Sequence, residues 1–169
     1  MTEKPCHDTG FRWPEPPLKI VLVEPEIPPN TGNIARLCAG TGSELHLIEP
    51  LGFRLTEAAI RRAGLDYWEY AKIFRHKSFP AFEQDARPAR MFFFTTQGLR
   101  LYTDIAYEPG DALVFGSETK GLPADILSAH AGERVCLPMK DSRVRSQNLA
   151  NAAAIVLYEA LRQINLRAV

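Results

Sequence analysis

Residues 19–23, KIVLV, form an unbroken apolar and largely β-branched run, which predicts a buried strand. Residues 44–48, 91–95, 112–115 and 134–137 read the same way, and residues 71–74 predict a shorter strand. Three prolines between Glu24 and Asn30 stop the first strand. Asn30 or Thr31 is then expected to cap a helix reaching about Gly40. Further helices are expected at residues 55–63, ending at Gly64, at residues 78–85, and at residues 123–128 with Pro123 in first position. The longest, at residues 146–164 with Ser146 as its cap, repeats apolar residues at Leu149, Ala153, Val156, Leu157, Ala160, Leu161 and Ile164. Strands alternate with helices, and the strands are apolar throughout rather than at every second position. The expected class is therefore α/β, a parallel sheet with helices on both faces. Residues 1–17 are polar and carry Pro5, Pro14, Pro16 and Pro17; they predict a flexible extension ahead of one domain at residues 18–169.

Composition narrows this little. A chain of 169 residues, 46% hydrophobic and 24% charged, suits one domain with a real core. Twenty basic residues balance twenty acidic ones, which argues mildly against a polyanionic partner. The balance is uneven, however. Residues 54–90 hold eight basic and five acidic residues, and residues 134–145 hold four against one, so each stretch is +3 and a basic face is possible. Within the first, Tyr67, Trp68 and Tyr70 suit either base stacking or packing. Cys6, Cys38 and Cys136 are odd in number and contain no CxxC, so a disulfide framework is not expected and a reducing cytoplasm is. His7, His46, His76 and His130 lack metal-ligand spacing, so no metal is expected. The N-terminus lacks a signal-peptide core, and the longest apolar stretch, residues 152–158, is too short to span a bilayer.

Candidate chemistry sits in loops that follow strands, where open α/β sheets bind ligands. Gly116-Ser-Glu-Thr-Lys-Gly121 places Glu118 between two glycines, but its spacing matches no phosphate cradle, and a plain turn explains it as well. Arg36, in the helix beginning near Asn30, can present a guanidinium to a phosphate or simply to solvent. Asn148 and Asn151 share a helix face beside an apolar stripe, where buried amides need partners. Capping and function explain that pair equally well.

Taken together, three segments resemble the signature motifs of SPOUT methyltransferases: PEIPPNTGNIARLCAGTG at residues 25–42, LVFGSETKGLP at 113–123, and LPM with VRSQNLANAAAIVLYE within 137–159. HLIEPLGF at 46–53 and RRAGLDYWEY at 61–70 are similar to the small single-domain branch, the tRNA (cytidine/uridine wobble) 2′-O-methyltransferases. The resemblance implies a deep trefoil-knotted α/β fold and a homodimer joined by its first and last helices, at residues 32–40 and 146–164. It implies S-adenosylmethionine as cofactor, S-adenosylhomocysteine as product, no metal, and methylation of the wobble ribose of tRNA, with leucine isoacceptors the expected substrates. Neither DNA nor a membrane is implied.

By position, the cofactor is expected at Phe94, Thr95, Thr96, Gly98, Gly116, Glu118, Gly121, Leu137, Met139, Ser146 and Asn148. The family's catalytic role falls on Arg36, supported by Asn30, Glu118 and Arg145, with Arg36, Arg143, Arg145 and Tyr158 toward substrate. A guanidinium with a pKa above about 12 is a poor base, so Arg36 is read as a positioner of phosphate and hydroxyl. Residues 140–145 are more basic than the branch leads one to expect. Two other readings remain: a 2′-O-methyltransferase for another tRNA or rRNA site, and a non-catalytic RNA-binding protein of this fold.

Overall fold

The computed structural model describes residues 10–54, 70–141 and 143–167. The expected helix at 55–63 and the aromatic pair Tyr67 and Trp68 lie outside them, as do Cys6 and His7. Seven strands make one sheet: β1 (Lys19–Val23), β2 (Glu44–Ile48), β3 (Lys72–His76), β4 (Met91–Phe94), β5 (Arg100–Leu101), β6 (Ala112–Phe115) and β7 (Arg134–Cys136). Their order is β3-β2-β1-β6-β4-β7-β5, and every pairing is parallel. The described α-helices are α1 (Pro28–Thr41), α2 (Phe79–Ala86), α3 (Ala124–Ala129) and α4 (Leu149–Arg167).

Strand side chains alternate between two cores. Ile20, Leu22, Leu45, Leu47, Phe92, Phe94, Leu113 and Phe115 pack with Ile34, Ala35 and Cys38 of α1 and with the buried stripe of α4 from Leu149 to Ile164. Val21, Val23, Phe93, Ala112 and Val114 face the other way, onto Phe79 and Phe82 of α2 and Ile126 of α3. Both faces are thus covered, which is why β4 and β6 are apolar along their whole length and β1 is apolar after Lys19. Phe11 packs against the first core, and the Arg12 amide donates to Asn165 Oδ1 at 2.9 Å, so part of the lead-in meets the end of α4.

Three local expectations change. Helix α1 begins at Pro28 with Ile27 as N-cap and no side-chain cap bond, while Asn30 and Thr31 are buried within the helix. Helix α4 begins at Leu149, and Asn148 is its cap: Asn148 Oδ1 accepts from the amides of Ala150 at 2.9 Å and Asn151 at 3.2 Å. Ser146 precedes the helix, so Asn148 and Asn151 do not share a helical face. Pro123 stands at the N-cap of α3 rather than at its first residue.

Strand β7 lies between β4 and β5, although residues 95–99 join those two directly. That link must cross the β7 backbone. It does so at Gly98, where an added Cβ would stand 2.3 Å from the Val135 carbonyl carbon. The Thr95 amide anchors the link by donating to Val135 O at 2.9 Å. Threaded arrangements of this kind are rare among proteins.

On the α2 side, His46 and His76 are both buried, and their facing ring nitrogens lie 3.0 Å apart. Glu44 lies 3.3 Å from the outer nitrogen of His46, and Asp85 lies 3.1 Å from that of His76. Burial pushes His46 down to about 4, against the opposing pull of Glu44. The folded chain thus resists a proton that the unfolded chain accepts near its ordinary value of about 6.5. The neutral ring's contribution is present above about pH 6.5 and is lost as pH falls toward 4. Urea midpoints are expected to decline across that window, and more shallowly in His46→Asn. Parallel declines in both proteins would contradict this.

Candidate active site

The strand ends converge on a cavity of about 680 Å³. Four stretches line it: residues 94–97 after β4, residues 115–122 after β6, Leu137 and Met139 after β7, and residues 145–149 at the start of α4. Ile27 and Asn30 close it from the start of α1. The closest backbone approach lies within the second stretch. A Cβ at Gly116 would stand 2.0 Å from the Gly121 carbonyl carbon, so the loop can close on itself only with glycine there. Ser117 and Gly121 then exchange both backbone hydrogen bonds.

Glu118 sits at the tip of this loop and serves the helix that lacks a local cap. Its carboxylate accepts from the Glu26 amide at 2.8 Å, the Ile27 amide at 3.3 Å and Asn30 Nδ2 at 2.9 Å. An anion at a helix start also meets the favourable end of the helix dipole. Asn30 Oδ1 accepts from Asn148 Nδ2 at 3.0 Å, and Asn148 caps α4. One chain of polar contacts therefore runs from Glu118 through Asn30 to Asn148, joining all three motif segments. Asn30, buried at the centre of this chain, has both ends of its amide paired, as a buried polar group requires.

A second cleft, of about 410 Å³, lies between the exposed sides of α1 and α4. Asn33, Arg36, Leu37 and Gly40 line it from α1, and Ala150, Asn151, Ala154 and Tyr158 from α4. Cavity and cleft flank the same two helix starts, with Asn30 and Leu149 on one side and Arg36 and Asn151 on the other.

Of the residues expected at a cofactor, Phe94, Thr95, Thr96, Gly116, Glu118, Gly121, Leu137, Met139, Ser146 and Asn148 line the cavity, joined by Asn30 and Arg145. Gly98 does not line it; it is the crossing point over β7. Arg36 and Tyr158, expected toward substrate rather than cofactor, face the cleft. Arg143 lines neither and pairs with Asp141 at 2.6 Å. Gln97, within the stretch from Phe94 to Gly98 expected at the cofactor, also lines the cavity, as do Thr119, Lys120 and Ile27, which were not named individually although Thr119 and Lys120 lie inside a loop whose composition drew attention. Glu26 was not named individually, although it lies within the first motif segment at residues 25–42. Cys38 is unsuited to nucleophilic chemistry, because burial pushes its thiol up to about 12.

The lining suits an amphipathic ligand that carries a carboxylate. Leu122, Leu127, Leu137, Met139 and Leu149 offer an apolar bed. Thr95, Ser117, Ser146 and Asn148 offer hydrogen bonds, and Lys120 and Arg145 suit a carboxylate. No cluster of three metal-ligating side chains occurs among the described residues, nor is any helix of theirs long and apolar enough to cross a membrane.

Residues 17–158 match the SpoU rRNA Methylase family. A tRNA (cytidine(34)-2′-O)-methyltransferase of Burkholderia ambifaria is 57% identical over 147 residues, covering 85% of this chain and 94% of that one. A solved structure concerned with 2-OH methylation of C/U34 on tRNA is 44% identical, with a TM-score of 0.81, and covers 90% of this chain and 97% of its own. An AdoMet-bound rRNA methyltransferase of Sinorhizobium meliloti is 26% identical with a TM-score of 0.71, over 86% of this chain and 56% of that chain.

Proposed function

The chain belongs to the SpoU methylase family, and on that footing we propose that it transfers the methyl group of S-adenosylmethionine to the ribose 2′-hydroxyl of the wobble nucleotide of tRNA. The carrying observation is the cavity built from all three motif segments and tied together by the Glu118–Asn30–Asn148 contacts. Identity above one half to a tRNA (cytidine(34)-2′-O)-methyltransferase, over nearly that protein's whole length, supports the choice of substrate. The passage of residues 95–99 over β7 supports the knotted reading of the fold.

S-adenosylmethionine fits the cavity by the chemistry of its lining, and when bound it supplies an activated methyl group on a sulfonium. The protein's own work is placement. Residues 94–97, Leu137 and Met139 would bed the adenosine, and Lys120 and Arg145 are placed for the methionine carboxylate. Asn30 and Asn148 fix where α1 and α4 begin, and so where Arg36 stands in the neighbouring cleft. Arg36 would hold a phosphate beside the target ribose and aim its hydroxyl, since orientation is worth several kcal/mol.

The exposed side of α4 presents Ile155, Tyr158 and Leu166, at 42%, 56% and 59% exposure, and Tyr158 among them lines the cleft. A second copy covering this side would join the molecules through α1 and α4 and bring Tyr158 to the partner's substrate; sedimentation at the mass of one chain would oppose that reading. A cytoplasmic setting follows from a tRNA substrate.

Arg36→Ala is expected to lower methyl transfer to tRNA at least 100-fold while S-adenosylmethionine affinity stays within about twofold, because Arg36 lies outside the cavity. Radiolabel transfer and calorimetry read the two quantities. Undiminished transfer would remove Arg36 from the mechanism. Labelling of rRNA but not tRNA would favour the related ribosomal activity.

A further inference from the structure

The loops before α1 and after β6 are joined by two carboxylates, each held by the other's loop. Glu118 Oε2 accepts from the Glu26 amide at 2.8 Å. In return Glu26 Oε2 accepts from Thr119 Oγ1 at 2.6 Å and from the Thr119 amide at 3.3 Å. We propose that Glu26 and Thr119 are positioning residues for the methyl-donor cavity, a clasp that holds the Glu118 loop closed against the start of α1. This rests on the reading of the cavity as the S-adenosylmethionine site.

Several features point to a clasp rather than an incidental contact. The loop bearing Glu26 is strained: Glu24 has φ 52°, a left-handed conformation uncommon for a residue other than glycine, asparagine or aspartate. It is also gripped from behind. The Gly52 amide donates to Pro25 O at 2.9 Å, and a Cβ on Gly52 would come within 2.8 Å of Glu26 Cα. Glu26 is thus pinned from one side and committed to Thr119 on the other. Thr119 lines the cavity and Glu26 does not, so Glu26 can act on a ligand only through Thr119 and Glu118. Glu118 ties its loop to the start of α1 through one carboxylate; the Glu26–Thr119 contact adds a second tie and leaves the loop less freedom to swing outward. Groups that act as one unit lose their effect together when either is removed.

The test measures S-adenosylmethionine affinity by calorimetry, KM and kcat for methyl transfer to tRNA, and melting temperature, for wild type, Glu26→Ala, Thr119→Val, the double variant and Thr119→Ser. Each disabling single variant is expected to weaken S-adenosylmethionine binding and raise its KM about tenfold, with a much smaller change in kcat. The double variant is expected to be no worse than either single one. Thr119→Ser keeps the hydroxyl and is expected to bind more tightly than Thr119→Val. Unchanged affinity with only a lower melting temperature would overturn the proposal, as would effects that multiply in the double variant. If affinity shifts as expected but no RNA is methylated, the clasp stands and the proposed reaction fails. If wild type binds no S-adenosylmethionine, the assignment of the cavity fails and takes the clasp's role with it.

Discussion

Gly98→Ala is expected to destabilise the fold by about 3 kcal/mol or more and to abolish binding in the cavity. The added methyl would stand 2.3 Å from the Val135 carbonyl carbon and 2.6 Å from both the Val135 oxygen and the Cys136 nitrogen. All three are backbone atoms of the strand beneath, so no rotamer change relieves the clash. Either the link must rise off β7, giving up the bond from the Thr95 amide to Val135 O, or β7 must leave its slot between β4 and β5. Thr95, Thr96 and Gln97 in that link line the cavity, so both outcomes deform the site. Gly40→Ala is the control: nothing lies within 4 Å of its added methyl, and it sits within α1. It is expected to be neutral or to stabilise by up to about 1 kcal/mol. Urea unfolding separates the two variants, and similar midpoints for both would contradict the crossing geometry.

Glu118→Ala is expected to produce the second-largest loss, about 2–4 kcal/mol in stability together with most of the S-adenosylmethionine affinity. Three donors lose their acceptor at once: the amides of Glu26 and Ile27 and the side chain of Asn30. Asn30 is 7% exposed, so water cannot readily replace the bond to it. Helix α1 has no side-chain cap of its own to fall back on. Released from Glu118, Asn30 would also hold Asn148 less firmly, and the loosening would reach the start of α4. Glu118→Gln keeps one acceptor oxygen and is expected to recover part of the stability. Full stability in Glu118→Ala would show that α1 is capped in some other way.

The two losses arise from features that differ in how visible they are along the chain. Strands β1, β2 and β6 were legible to the residue: β1 and β6 because a buried parallel strand is apolar on both faces, and β2 because its core-facing Leu45 and Leu47 with Ile48 still mark it despite Glu44 and His46. Helix starts were less legible. Asn30 carries the side chain of a cap, yet it is consumed by Glu118 and Asn148, which lie 88 and 118 positions away, so its local signal misled. Ser146 misled for the same reason, since Asn148 took the capping role. Strand β5 is two residues long and owes its pairing to β7, which no window of sequence can register.

Motif resemblance named most of the cavity's lining because it grouped loops that are distant in sequence. It kept Arg36 and Tyr158 apart from the cofactor residues, and these two side chains line the neighbouring cleft rather than the cavity. Gly98, named for the cofactor, is held in its place by a strand that forms later in the chain.

The most direct test is to incubate the full chain with methyl-labelled S-adenosylmethionine and tRNA lacking wobble ribose methylation, then map the label by nuclease digestion and mass spectrometry. Label confined to the 2′-oxygen of nucleotide 34 is the expected result. Label at another nucleotide, or on a base instead of a ribose, would contradict the account.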